Sequence, residues 1–233
     1  MLWLICLVLI ISKPVSAGGA TFCKNGNISE DDVSQTLALI NSRRTVLASG
    51  LQLNISDGDD GPVLGLDPPA RNMRKMTYDC AVEQKARDLL ATMSCDELYN
   101  GETEVGKIDL ERGFFFSGYE SIQIILRLYL NSLFDWAVLA SNSSVKYKYR
   151  HWGFSNINGN LMRADASKLG CASRECRENN DFPYNHYLCM TDQRNIKDGE
   201  ELYKVGAAKA ECDPLIQAEF PGSSSGYASD GAE

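Results

Sequence analysis

Few residues in this 233-residue chain could carry covalent or metal chemistry. There are two histidines, His151 in the run Tyr149-Arg150-His151-Trp152 and His186 three residues before Cys189. A serine triad would need one of them beside a Ser and an Asp, and no G-x-S-x-G elbow occurs, so both histidines read as structural. Zinc binding calls for soft ligands at short spacing, yet the eight cysteines include no C-x-x-C or C-x-x-H pair. Disulfides suit them better. Cys6 lies in the N-terminal apolar run, which leaves Cys23, Cys80, Cys95, Cys171, Cys176, Cys189 and Cys212. In an oxidising compartment these make three bridges of open connectivity and one leftover thiol. Cys23, ahead of the first helix, is the expected leftover.

Two surfaces suggest binding instead. Ser56-Asp57-Gly58-Asp59-Asp60-Gly61-Pro62 reads as an acidic loop, and Asp57, Asp59 or Asp60 could fill an open position on a divalent cation presented by a partner, since hard cations take oxygen ligands. No Arg-Gly-Asp string accompanies it. Lys146-Tyr147-Lys148-Tyr149-Arg150-His151-Trp152 mixes aromatics with basic groups, the side chains that anchor protein interfaces. Packing within a sheet is the competing role for Tyr147, Tyr149 and Trp152.

These groups need a scaffold. The start, MLWLICLVLIISKPVSA, has an apolar run from Leu2 to Ile11, too short for a bilayer. It ends in Pro14 and the small-residue stop Val15-Ser16-Ala17, the layout of a cleaved signal peptide over residues 1–17, although a basic n-region is missing. The segment from Ile122 to Ala140 carries Gln123, Arg127, Asn131 and Asp135, which are expensive in hydrocarbon. A secreted, extracellular chain with no membrane span is therefore expected. It divides into an N-terminal arm (18–28), one domain (29–212) and a flexible tail (213–233) containing Gly222-Ser223-Ser224-Ser225-Gly226. The formal charge of -8 argues against nucleic acid or anionic lipid as partner. Sequons at Asn27, Asn54 and Asn142 fit a secreted glycoprotein.

Ser29 begins a helix, with Glu30, Asp31 and Asp32 at its positive end and Val33, Leu37, Ile40 and Leu47 on its apolar face. Gly50 stops it. Asp79 caps a second, with Val82, Ala86, Leu89, Leu90 and Met93 inward. A third carries Ile122, Ile125, Leu126, Tyr129, Leu133 and Trp136. Between the first two, residues 54–70 break the pattern and read as a loop closed by Pro68-Pro69. Strand-like segments follow at Tyr147–Phe154, Leu169–Ala172 and Tyr184–Met190, with Asn158-Gly159 as a turn. Helices first and strands later give an α+β domain.

Four segments resemble the CAP superfamily, also called SCP/TAPS, which includes nematode activation-associated secreted proteins. Asn41 through Gly50 is similar to H-N-x-x-R-x-x-x-A-x-G. Lys75-Met76-Thr77-Tyr78-Asp79-Cys80 with Glu83 resembles M-x-W/Y-D-C-x-L-E. Lys168-Leu169-Gly170-Cys171-Ala172 with Cys176 is similar to K-x-G-C-A/G-x-x-x-C. Tyr187-Leu188-Cys189, then Asn195-Ile196, Leu202-Tyr203 and Gly206, resembles the family's last strand and its sequel. The acidic loop and Asn160-Leu161 look most like the hookworm neutrophil and platelet inhibitor branch.

The resemblance implies a three-layer α-β-α sandwich with a central antiparallel sheet, and a Cys171–Cys189 bridge. It also implies a cleft of two His and two Glu that binds a divalent metal in some members. Here the His positions fall on Ile40 and, within one or two residues, Ile157. One Glu position falls on Ser132. The other survives only as Glu102 or Glu104, without its Asn. Isoleucine offers no lone pair, so no metal, cofactor or enzymatic activity is expected. The resemblance then implies a binder of a host cell-surface protein, integrin-type. The alternative is a lipid or sterol carrier, for which Gly113-Phe114-Phe115-Phe116-Ser117-Gly118 is the candidate apolar loop. A metal-dependent hydrolase ranks last.

Overall fold

A computed structural model describes residues 20–58, 61–95, 113–118, 121–131, 138–147, 155–177, 184–208, 210–212 and 214. The first helix, α1, spans Glu30–Ala48. The Ser29 hydroxyl accepts the Asp32 N–H at 3.0 Å, and three acidic residues in the first turn complement the helix dipole. Gly50, at φ 68°, receives the chain beyond the helix end. Helix α2, Cys80–Ala91, is capped by Asp79, whose carboxylate accepts the N–H groups of Ala81 (2.9 Å) and Val82 (3.1 Å). Helices α3 (Ile122–Asn131) and α4 (Ser155–Met162) complete the set among the described residues.

The strands are β1 (Leu53–Gly58), β2 (Gly61–Leu66), β3 (Thr77–Tyr78), β4 (Gly113–Gly118), β5 (Val138–Ala140), β6 (Ser144–Tyr147), β7 (Lys168–Cys176), β8 (Tyr184–Thr191) and β9 (Glu201–Lys204). They form a four-stranded sheet in the order β3-β7-β8-β4, a three-stranded sheet β5-β6-β9 and a separate hairpin β1-β2. All pairs are antiparallel except β3 with β7.

Strand parity sorts β7 and β8 between two cores. Leu169 and Cys171 of β7, with Tyr187 and Cys189 of β8, join the large apolar cluster that holds Val33, Ile40 and Leu47 of α1, Ile122, Ile125, Leu126 and Leu130 of α3, and Ile157 and Leu161 of α4. Ala172, Cys176 and Leu188 face the other way, onto Ala86 and Leu90 of α2 and Met93 just past its end. Helices on both faces of the sheet make the expected α-β-α layering. Three disulfides tie it: Cys23–Cys80, Cys95–Cys176 and the family-implied Cys171–Cys189.

Several sequence expectations need correcting. The spare thiol is Cys212, buried, and not Cys23, because the arm folds back to place Cys23 on the first residue of α2. Residues 54–70 are not simply a loop: most of them form the β1–β2 hairpin, with Leu53 opposite Leu66 and Gly58 opposite Gly61. Asn158-Gly159 lies inside α4 and makes no turn. Its glycine serves close approach, since a Cβ there would come within 2.8 Å of both the Tyr147 ring and Ile196 Cγ2. Of the segment Tyr147–Phe154, only Tyr147 falls in a described strand, β6. The Phe run at 113–118, the candidate lipid loop, is strand β4, paired along its length with β8. On α3, Leu130 is buried, outside the expected stripe. Leu133, Trp136 and the tail from 215 lie outside the described residues.

Candidate functional site

The positions expected to match the family's two histidines, Ile40 and, within one or two residues, Ile157, fall on α1 and α4. Ile40 is 0% and Ile157 3% exposed, and both belong to the same apolar cluster. A divalent ion needs converging nitrogen or oxygen donors, and these two side chains supply none, so the residues present do not fit the ion. Glu102, Glu104 and Ser132 lie outside the described residues. Among the described residues, no group of three His, Cys, Asp or Glu side chains is placed to hold a metal.

What the N-x-x-R segment does instead is structural. Asn41 and Arg44 stand one turn apart on the buried face of α1. Asn41 Nδ2 donates to Met76 O at 2.9 Å, and its Oδ1 accepts the Met76 N–H at 2.8 Å. Arg44, fully buried, donates to five backbone carbonyls: those of Arg74, Leu161, Arg163, Ala164 and Ala166. Burial lowers its pKa to about 10, against the opposing fields of Asp165, Asp192 and Cys212, so it stays charged at neutral pH.

A buried carboxyl lies on the other side of the sheet. Glu83 in the first turn of α2 is 1% exposed, and neither of its oxygens has a partner in hydrogen-bonding geometry. It faces Gly26 of the arm, where a Cβ would meet its Oε1. Burial raises its pKa; the Tyr78 hydroxyl, the Arg87 guanidinium and the Asn27 N–H oppose the rise without cancelling it. A folded-state value above the unfolded one means that the charged form is disfavoured in the fold. Stability is therefore lost as pH rises from the ordinary glutamate range through the raised value, and the loss is complete above it. Glu83→Gln is expected to raise stability at neutral pH, and the gain should shrink as pH falls through the ordinary glutamate range. Melting temperatures of both proteins across that range are the check. Glu83 stood in the sequence only as part of a motif; its position four residues after the cap, on the Ala86 and Leu90 face, was the available sign of burial.

The binding candidates separate. Tyr147 is 3% exposed and packs in the main core against Gly159, so its side chain is not a contact surface; its place on β6 next to α4 explains why. Tyr149, Trp152 and His151 lie outside the described residues. His186 is buried on β8 opposite Arg174, and both burial and that cation lower its pKa. Asp57 lies on β1 opposite Pro62; Asp59 and Asp60 lie outside the described residues. At the base of the hairpin, the Asp67 N–H bonds Gln52 O at 2.8 Å, and both side chains are buried. The next pair outward is exposed: Leu53 at 42% and Leu66 at 59%, with Leu51 beside them at 55%.

Among the sequons, Asn142 is exposed in the turn between β5 and β6, and Asn54 lies on β1 opposite Gly65. Asn27 is different: its carboxamide is bound to Ser173 of β7. A polar groove is lined by Asn72, Arg163, Asp165, Arg194, Glu200 and Glu201; Arg163 pairs with Asp165 at 2.7 Å and Arg194 pairs with Glu200. No helix among the described residues is long and apolar enough to cross a membrane.

The sequence model of the cysteine-rich secretory protein family, CAP, matches residues 37–191. The Ancylostoma secreted protein of Ancylostoma caninum is 27% identical over 156 residues, covering 66% of this chain and 33% of that protein. This chain thus spans only a third of that relative's length. Among solved structures, the hookworm platelet inhibitor superposes with a TM-score of 0.55 at 19% identity, over 84% of this chain and 92% of that one. Na-ASP-1 does so at 0.61 and 19%, over 84% and 47%. NaASP2, solved with Zn2+, gives 0.55 and 20%, over 83% and 97%. These likenesses carry the fold.

Proposed function

The chain belongs to the CAP family of cysteine-rich secretory proteins, and from that premise we propose that it is a secreted, non-enzymatic protein that binds a host cell-surface protein through its β1–β2 hairpin. The observation that carries this reading is the hairpin itself. It joins neither of the other sheets, and it carries an exposed leucine pair at its base. The pairing of Gly58 with Gly61 leaves only Asp59 and Asp60 to connect its strands. Exposed apolar side chains at the base and acidic residues at the tip of one hairpin combine a surface that gains from desolvation with carboxylates able to complete a partner's divalent-ion site. Isoleucines at the family's two His positions favour binding over chemistry, and three disulfides suit an oxidising, extracellular setting. The name of the hookworm platelet inhibitor sets platelets among the first cells to try, and the acidic hairpin tip sets the first class of receptor, an integrin-type one that presents a divalent cation.

The test is capture. The protein, made in a secretory host and immobilised, is exposed to solubilised leukocyte and platelet surface proteins with magnesium present. A variant with Asp57, Asp59 and Asp60 all changed to Ala runs beside it. We expect an integrin-type receptor to be retained, and its affinity to fall about tenfold or more in the variant or with chelator. Retention unchanged in both would remove the acidic hairpin from the interface. Failure to retain any specific protein would reject the receptor reading and leave a lipid ligand as the next one to assay.

A further inference from the structure

Strand β3 is short, and that leaves one edge of β7 open. Thr77 and Tyr78 pair with Lys168 and Leu169, and there the ladder stops. Further along, two side chains take the place of a strand. The Tyr78 hydroxyl donates to Cys171 O at 3.0 Å and accepts the Cys171 N–H at 3.1 Å. Two residues on, Asn27 Oδ1 accepts the Ser173 N–H at 3.2 Å, and Asn27 Nδ2 donates to Ser173 O. Cys171 and Ser173 share strand parity, so both present their backbone groups on the edge away from β8. Each would leave an unpaired N–H and C=O on an open edge. Asn27 therefore acts as a one-residue surrogate strand. It also fixes the arm, together with the Cys23–Cys80 bridge and the Phe22 ring set edge-on to Tyr78 at 5.1 Å.

The same Asn27 heads the tripeptide Asn27-Ile28-Ser29, which reads as an N-glycan acceptor. Every part of it is occupied in the fold. Ile28 is buried in the core. The Ser29 hydroxyl accepts the Asp32 N–H and donates to Asp32 Oδ2 at 2.7 Å as the α1 cap. The amide geometry completes the argument. A glycosylated asparagine is a secondary amide and takes the trans form, which sets the sugar on the same side as Oδ1. To bond both backbone groups of one residue, the carboxamide must use its oxygen and the N–H on that same side. The sugar and the Ser173 carbonyl compete for one position.

We propose that Asn27 is an arm latch and is not glycosylated in the folded protein, and that among the three sequons Asn142, exposed in the β5–β6 turn, is the principal N-glycan site. A chain modified at Asn27 before folding has no donor for Ser173, and its arm is held by Cys23–Cys80, Phe22 and the buried Ile28 without the latch.

Two measurements on the full chain secreted from a glycosylating host test this. Glycans are released enzymatically in heavy-oxygen water, so that an occupied Asn becomes a labelled Asp. We expect the label at Asn142 and unmodified Asn27. Hydrogen exchange of the peptide containing Ser173 is compared in wild type, Asn27→Ala and Asn142→Gln. We expect roughly fivefold or faster exchange in Asn27→Ala, from loss of the latch, and no change in Asn142→Gln. Predominant glycan at Asn27 in protein whose Ser173 amide is still protected would overturn the proposal. So would unchanged exchange in Asn27→Ala, or an unmodified Asn142.

Discussion

Arg44→Ala should leave almost no folded protein. The guanidinium reaches out from α1 to the carbonyls of Arg74, before β3, of Leu161 at the end of α4, and of Arg163, Ala164 and Ala166 on the way into β7, at 2.6 to 3.4 Å. Two long backbone bonds link these residues, from the Arg74 N–H to Ala164 O at 3.3 Å and from the Ala166 N–H to Arg163 O at 3.4 Å, and the remaining acceptors need another source of N–H. Only a rigid fork of donors satisfies them at once, and Arg is the side chain that has one. Removing it leaves several buried carbonyls without a donor, each costing about 1–3 kcal/mol, and opens a cavity as well. A loss of about 5 kcal/mol or more follows, comparable with the whole stability of many domains. Arg44→Lys keeps the charge and at most three donors, so an intermediate loss is expected. Ser42→Ala, exposed on the opposite face of the same helix, should fall within about 0.5 kcal/mol of wild type. Secreted yield and denaturant midpoints of the three variants check the order. A well-folded Arg44→Ala protein would remove the central fastener from this account.

That result bears on how family positions should be read in this chain. The Asn and Arg of the first segment remain and hold the layers together. The neighbouring His position has become Ile40, which adds to the core. Ile40, Asn41 and Arg44 share the buried face of α1, yet the scaffold and the cleft donors are separable there, because Asn41 and Arg44 bond backbone groups of other segments while Ile40 only packs in the apolar cluster.

What could be read from the residues in advance follows the range of the forces involved. The caps at Ser29 and Asp79 were legible because capping is settled within three or four residues. The strands about Cys171 and Cys189 were legible from composition and resemblance together. Gly159 was misread as a turn because glycine has two uses, positive φ and close approach, and only the distant Tyr147 and Ile196 decide between them. Gly58 and Gly61, with two residues between them, are a hairpin signal, but the acidic composition around them reads as loop. Disulfide pairing is a matter of tertiary geometry, so position ahead of the first helix pointed to Cys23 as the leftover thiol when it is Cys212. For the site, Ile40 and Ile157 disclosed their lack of donors at once. The use of Asn27 could not be foreseen, since nothing local says that β3 ends too soon to cover Ser173.

Gly170→Ala is the second substitution expected to damage the fold severely, and its cause is distance alone. Gly170 lies on the face of β7 that meets α2, with Ala172 two residues on. A Cβ at Gly170 would stand 2.1 Å from Glu83 N, 2.5 Å from Val82 C and 2.7 Å from Glu83 Cα. All three are backbone atoms, so no rotamer change relieves the clash; the helix must move away from the strand. It is poorly free to do so. Its first residue is bridged to Cys23, and Cys95 just beyond its end is bridged to Cys176 of β7. Its cap, Asp79, is paired with Lys168 of β7 at 2.7 Å. Overpacking usually costs about 1–3 kcal/mol, and with the helix tied at both ends this site should reach or exceed the upper figure. Gly65→Ala on β2 is the contrast, because nothing lies within 4 Å of the added methyl, and a change of no more than about 0.5 kcal/mol is expected. Urea midpoints for the two variants decide the matter. If Gly170→Ala unfolds within about 1 kcal/mol of wild type, then α2 does not rest on β7 at backbone contact, and the burial of Glu83 between that helix and the arm has to be reconsidered with it.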